Sequence, residues 1–459
     1  MVDLNFRELK LFMKFMSLIL LFLLACVSTA EEITIAVKNA PSGSATLNTL
    51  EGEKVTFVKN VNSNGQGEFS FSGDNLLTGF YRLALSSSGW VDFIYDGKKV
   101  SLRTDAVNIS DSMKVVESES NKLYYEFVRL NKAYKNKTEL LHLILARYPK
   151  DDPYYRTTQD RLTELQNEYT EFVNVTSRKD PRSFIARYIR SAQLPVLDVS
   201  IPVDEQLNYL KSHALDMVNF NDAELINSDC FTSKTIEYLT YYRNPQLPKA
   251  LLEKEFMSAV DTILNKARVN ILVYQHITEY LIDGFRKFGF DLVIDYILEN
   301  YVIKDDLCLD EELESSIDRR ILQAQKLKVG SIVSNILLPD ENGDEINLGK
   351  IAKDKILIVF YASWCPHCRD LMPQLAGLYS KKKTDIEILA VSMDSTLADW
   401  KSYITDNNFS WLNVCDTAGW NGQAAQDYYI YATPAMFLVD KERKIIAKPR
   451  SVEELKKYY

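Results

Sequence analysis

The sequence predicts a multidomain chain in three parts. These are an all-β, sandwich-like domain over residues 31–116, an all-α domain over 117–328 and an α/β domain over 329–459. Three observations predict it. Apolar residues recur at every second position in the first stretch and at every third or fourth in the second. In the third, strand-like and helix-like blocks alternate. At 459 residues the chain also exceeds what one hydrophobic core usually holds.

Composition narrows the class. With 46% apolar and 25% charged residues the chain is of ordinary globular make-up, which excludes global disorder. Only 16 glycines and 13 prolines exclude a collagen-like or linker-dominated protein. The net charge of −9, without a basic stripe interleaved with aromatics, lacks the electrostatic footprint of a nucleic-acid partner. Residues 1–30 are the exception to this composition. Lys10 and Lys14 precede the apolar run Phe15 to Val27, then the small residues Ser28 and Ala30. The run is too short to span a bilayer, and the pattern is that of an export signal cut after Ala30. A rival reading takes Leu23-Leu24-Ala25-Cys26 as a lipobox with Cys26 lipidated, the only route to a membrane. Cleavage after Ala30 is preferred because a strand-like run begins at Ile33 and leaves little tether. Either way the protein is expected in the periplasm or cell envelope.

In the first domain Ile33, Ile35 and Val37 alternate with polar residues, as do Val55/Phe57 and Phe69/Phe71. Val91, Phe93 and Tyr95 lead through Asp96-Gly97 to Val100 and Leu102, which predicts a hairpin. From residue 117 the period changes: Leu123, Phe127 and Leu130 follow helical spacing, and so do Val273, Ile277, Tyr280 and Leu281. Asp152-Pro153, Asp180-Pro181 and Asn244-Pro245 mark helix boundaries. The many tyrosines, among them Tyr124, Tyr125 and Tyr134, are expected to pack against one another rather than to cage a ligand. His276, beside the apolar stripe, is expected to be a satisfied core or boundary histidine. The acidic stretch Asp305 to Glu314 reads as a solvated helix start.

In the third domain Lys355 to Tyr361 (KILIVFY) is nearly continuously apolar, as for a strand covered on both faces. Strands follow at Ile386 to Val391 and Trp411 to Val414, and helices at Leu397 to Ile404 and Gln423 to Tyr428. Ala435 to Val439 and Lys444 to Ala447 form a strand pair, and Ser451 to Tyr459 a last helix.

The chemistry is expected at Trp364-Cys365-Pro366-His367-Cys368, which follows the KILIVFY strand and opens a helix. No second CxxC supplies the other two ligands of a zinc site, and the four histidines are scattered, so no metal is expected. A cysteine at a helix N-terminus meets backbone N–H groups and the positive dipole end. Its thiol pKa can then fall to about 3.5–7.5 from about 8.5. Pro366 suits the first helical turn, where its missing N–H is unneeded, and a protonated His367 would add positive charge. Cys368, three residues on, can attack a mixed disulfide at Cys365 and release the product.

With these residues the segment from Gly330 onward resembles the thioredoxin superfamily, in particular the extracytoplasmic TlpA/ResA-like thiol-disulfide oxidoreductases. The likeness runs from Gly330-Ser331-Ile332-Val333 through the WCPHC and Met372-Pro373 to Ala432-Thr433-Pro434-Ala435. The whole chain is similar, more weakly, to Bacteroidetes envelope proteins with a β-rich and a helical domain in front of a thioredoxin fold. The resemblance implies that Thr433-Pro434 is a cis-proline turn facing the CxxC and shaping the substrate groove, with Trp364 the flat surface beside it. It implies no metal or organic cofactor. The implied partners are cysteine-containing envelope proteins and, for a reductase, a membrane thiol reductant. The chain departs from the pattern where Val359 replaces a buried aspartate and Leu371 a glutamate, with Asp370 expected to face solvent. The group that deprotonates Cys368 is left open.

A peroxiredoxin pattern is absent, since Ile358 and Ala362 stand at its proline and threonine offsets. Cys415 reads as a buried small apolar residue, and pairing of Cys230 with Cys308 is left open. The expected function is exchange of disulfides with envelope proteins, as a reductase. The Pro-His dipeptide also resembles that of the oxidant DsbA, so a disulfide donor is the alternative. A further alternative is a binding or scaffold protein whose redox domain is accessory.

Overall fold

The computed structural model describes residues 32–458, apart from 42, 87–88 and 383–385. The export signal and Cys26 therefore lie outside the described residues. Compactness divides the chain into two units. One comprises the residues through Gln246 together with Asp261–Ile277, and the other Leu247–Val260 together with the residues from Thr278 onward.

The first unit begins with eight strands in two sheets. They are β1 (Glu32–Lys38), β2 (Ser44–Glu51), β3 (Lys54–Asn62), β4 (Glu68–Ser72), β5 (Gly79–Ser86), β6 (Gly89–Tyr95), β7 (Val100–Asp105) and β8 (Lys114–Glu117). One sheet has the order β4-β1-β7-β8 and the other β3-β2-β5-β6. Their inward residues, including Ile33, Ile35, Leu47, Phe69, Leu83, Phe93 and Leu102, form one core. The alternation read from the sequence is therefore the inner face of a β-sandwich.

Two details differ from expectation. The Asp96-Gly97 turn does not close a hairpin, because β6 pairs with β5 while β7 pairs with β1 and β8. The turn instead carries the chain from one sheet to the other. The predicted strand at Val55 and Phe57 exists, but both side chains point outward. A bulge between Leu47 and Asn48 of β2 shifts the register against β3, which exchanges the faces of the strand.

After one helical turn at Ile109–Ser112, the longer helices of this unit are α1 (Glu119–Arg147), α2 (Pro153–Lys179), α3 (Phe184–Ala192), α4 (Val203–His213) and α5 (Cys230–Thr240). Asp152 caps α2 by accepting from Tyr154 N, with Pro153 in the first turn. The tyrosines do pack on one another: Tyr134 stacks on Tyr169 with ring centres 4.3 Å apart, and Tyr124 meets Tyr188 and Phe80 edge-on. Two helices, α6 (Lys249–Ala267) and α7 (Ile271–Lys287), contribute to both units. His276 on α7 is not satisfied as expected. Its Nε2 is buried without a hydrogen-bond partner among the described residues.

In the second unit α8 (Asp291–Ile297) and α9 (Glu311–Lys326) precede an α/β layer. Asp310 caps α9, so the acidic stretch is the helix start that its charge pattern predicts. After a small pair, β9 (Leu337–Pro339) and β10 (Glu345–Asn347), come β11 (Lys355–Tyr361), α10 (Pro366–Lys382), β12 (Glu387–Ser392), α11 (Leu397–Asn407) and β13 (Leu412–Cys415). The chain closes with α12 (Gln423–Asp427), β14 (Ala435–Asp440), β15 (Ile445–Ala447) and α13 (Val452–Leu455). The five-stranded sheet has the order β13-β12-β11-β14-β15, with β11 to β13 parallel, β14 antiparallel to β11 and β15 antiparallel to β14. Central β11 is buried from Ile356 to Tyr361, which accounts for its unbroken apolar run.

Candidate active site

The parallel strand β11 delivers the chain to the carboxyl edge of the sheet, where α10 begins at Pro366. The turn between them is pinned from β12. Asp394 is buried and accepts from Ser363 N at 3.1 Å, Ser363 Oγ at 2.7 Å and Ser392 Oγ at 2.6 Å. Arg369 Nε donates to Ser363 O at 2.7 Å from the other side. Cys365 N donates to Ala362 O, and Arg369 N to Cys365 O, which winds the first turn of α10 around the cysteine pair.

Cys365 is 5% exposed and Cys368 is fully buried, while Trp364, Pro366 and His367 are exposed. Facing them is the Thr433–Pro434 turn, whose peptide bond is cis as the resemblance implied. Cys365 Sγ donates to Thr433 O at 3.4 Å. Burial opposes ionisation of Cys365. It is outweighed by hydrogen bonds from the Thr433 side chain, from Cys368 and from the His367 backbone, and the thiol lies below its ordinary range. At Cys368 burial dominates, with Cys365 adding to it, and the thiol is pushed up to about 12. The two sulfurs of one motif therefore differ sharply in acidity. The arrangement suits one nucleophilic thiolate and one reserve thiol.

Val359 is buried in β11, Leu371 is buried on α10 and Asp370 is exposed, so the departures named above hold in the fold. Cys415 is buried, its Sγ accepting from Thr417 N. Cys230 is a buried free thiol and Cys308 an exposed one. The Tyr403 hydroxyl is buried with no hydrogen-bond partner among the described residues. Burial raises its pKa, and Cys368 is the next contributor. Among those residues no three His, Cys, Asp or Glu side chains are grouped as metal ligands.

A cavity of about 520 Å³ adjoins His367, Thr433 and Pro434, with Glu253, Asp295 and Arg320 on its helical wall. Sequence reasoning missed Asp394 and this wall. Asp394 carried a legible signal, a polar residue at the carboxyl end of an apolar strand, where α/β sheets place their sites. Asp295 and Arg320 carried none, being ordinary surface-type residues on helical segments.

The model of the AhpC/TSA family matches residues 329–448. The thiol-disulfide oxidoreductase ResA of Bacillus thuringiensis subsp. konkukian is 26% identical over 138 residues, 29% of this chain and 78% of that protein. This chain belongs to the thioredoxin superfamily. A tryparedoxin of Trypanosoma brucei brucei is another thioredoxin-like relative, 25% identical over 117 residues, 24% of this chain and 80% of that protein. Among solved structures, the C-terminal domain of a Bacteroides thetaiotaomicron protein is 33% identical, covering 29% of this chain and 94% of that one, with a TM-score of 0.28. A thiol-disulfide oxidoreductase from Bacteroides fragilis is 27% identical, covering 28% and 96%, with a TM-score of 0.26. The thioredoxin-like domain makes this chain a thiol-disulfide oxidoreductase.

Proposed function

We propose that this chain is an exported oxidoreductase of the periplasm or cell envelope that reduces disulfides in cysteine-containing envelope proteins through Cys365 and Cys368. The observation that carries the reading is the unequal acidity of the two thiols on either side of one helical turn, facing Thr433 and Pro434. Cys365 thiolate attacks one substrate sulfur, forming a mixed disulfide and expelling the other sulfur as a thiolate. Cys368 then gives up its proton and attacks Cys365 Sγ, releasing the second substrate thiol. The enzyme is left as the Cys365–Cys368 disulfide, oxidised by two electrons, and a membrane dithiol reductant restores it. Trp364 and Pro434 border the substrate groove, and Pro366 and His367 tune Cys365.

The test is Cys368→Ala in the full chain, which should accumulate mixed disulfides at Cys365. A folded variant that captures no thiol-linked partner would leave the redox domain accessory to binding.

A second reading, a disulfide donor, is favoured by the lowered Cys365 pKa and the Pro366-His367 pair, since a stabilised thiolate makes the reduced form more stable. Equilibration against glutathione decides between them. A potential near about −270 mV fits a reductase, and one near about −120 mV a donor.

A further inference from the structure

The loop that faces Cys365 is held by side chains outside the matched range 329–448. From α9, Arg319 Nη1 donates to the carbonyls of Trp420 at 3.2 Å and Ile430 at 3.3 Å. Gln323 Nε2, one turn on, donates to those of Tyr428 at 3.1 Å and Tyr429 at 3.2 Å. From α8, Asp295 accepts from Tyr431 Oη at 3.2 Å and from Arg450 Nη2 at 2.6 Å. Arg320 Nε stands 2.7 Å from Asp295, an ion pair without the alignment of a hydrogen bond. The guanidinium of Arg320 lies over the Tyr431 ring, 4.5 Å from its centre. Four consecutive residues, Tyr428 to Tyr431, are thus gripped from α8 and α9, and Thr433 follows two positions later.

The backbone gives a second, independent sign of this grip. Tyr429 has φ +48°, in the left-handed region that L side chains seldom occupy. Such a residue persists where its surroundings over-determine it. Here the Tyr429 carbonyl is bound by Gln323, and its neighbours by Arg319 and Asp295.

We propose that Arg319, Gln323 and Asp295 are positioning residues for the redox pair, holding residues 428–431 so that Thr433 stays against Cys365. The reactivity of the thioredoxin-like site is then set in part by helices that precede it. Released from these contacts, the loop samples other conformations. Thr433 leaves Cys365 part of the time, and the thiolate loses the hydrogen bond from the Thr433 side chain that helps offset its burial. The ionisable groups around Asp295 are Arg320, Arg450, Tyr431, Asp291, Glu299 and Lys448. Tyr403 is the ionisable neighbour coupled to both thiols of the pair.

The proposal rests on the reading of Cys365 as the attacking thiol. Its test uses the reduced full chain carrying Gln323→Ala or Tyr431→Phe, with iodoacetamide alkylation of Cys365 followed by mass spectrometry across pH. Each variant should alkylate Cys365 about three- to tenfold more slowly than the parent on the acidic limb and equally fast on the alkaline plateau. This reports a raised thiol pKa, at tenfold per unit. The reduction potential should move negative in step, by about 30 mV for each tenfold change in the equilibrium. A folded variant with the parent's pH profile and potential overturns the proposal, even if its melting temperature falls. Should Gln323→Ala not fold, Tyr431→Phe, which removes one hydroxyl, decides alone. If instead Cys368→Ala in the parent traps nothing, the attacking-thiol reading fails, and the proposal with it. Trapping by the parent with unchanged variant profiles sinks the positioning role alone.

Discussion

Cys365 and Cys368 are the same residue three positions apart, and their surroundings make them different reagents. Cys368 is buried within the first turn of α10, while Cys365 meets hydrogen-bond donors at the helix start. Brief treatment of the reduced chain with iodoacetamide near neutral pH should therefore label Cys365 and the exposed Cys308. It should spare Cys368, Cys230 and Cys415, whose pKa values burial raises. Labelling of Cys368 ahead of Cys365 would contradict the assignment of roles. His276 makes a different prediction. Burial, aided by Lys54, lowers its pKa from 6.5 to about 4. Between those values the unfolded chain binds a proton that the folded one refuses, so stability falls as pH drops through that window. The loss is at most ~3 kcal/mol from this group. His276→Gln should flatten the dependence of urea midpoint on pH there, and an unchanged slope would show that other groups cause it. The position of His276 beside an apolar stripe was legible in the sequence, but its missing partner was not, because partners come from other segments.

At the scale of elements, the site is a strand end, a helix start and a loop. The first two were readable because KILIVFY and WCPHC are contiguous, and each has a local periodicity. What holds them together was not readable. Asp394 at the end of β12 binds both the N–H and the hydroxyl of Ser363, 31 residues earlier. Asp394→Ala leaves a buried N–H and two hydroxyls without their acceptor and should destabilise the second unit by about 3 kcal/mol or more. Ser363→Ala keeps the N–H bond and should cost only about 1 kcal/mol. Denaturant midpoints check the pair, and equal losses would show that the carboxyl group does not organise the turn. The failed hairpin at Asp96-Gly97 has a similar origin: a turn signal says that the chain reverses, not which strand it will pair with.

On the scale of the whole molecule, composition indicated a globular chain, and its first thirty residues indicated export. Intact mass of the protein recovered from an expressing cell should correspond to a chain beginning at Glu31. A mass for a diacylated or triacylated chain beginning at Cys26 would replace cleavage after Ala30 by lipid anchoring. Compactness divides the chain differently from composition: parts of the helical stretch, residues 247–260 and 278–328, group with the α/β sheet. Helical periodicity states that a segment has an apolar face but not what that face meets.

By itself, the sequence determined the order of β, helical and α/β segments, and it set two cysteines at the junction of a strand and a helix. Each of these follows from neighbours along the chain: the period of apolar residues, and a CxxC directly after an apolar run. The tertiary structure alone decided the pairing of β6 and β7, the acceptor at Asp394 and the grip of α8 and α9 on the loop before Thr433. Asp295 and Arg450 lie 155 residues apart and Gln323 and Tyr428 105 apart. No pattern of spacing links such residues, because their meeting depends on how every intervening element packs.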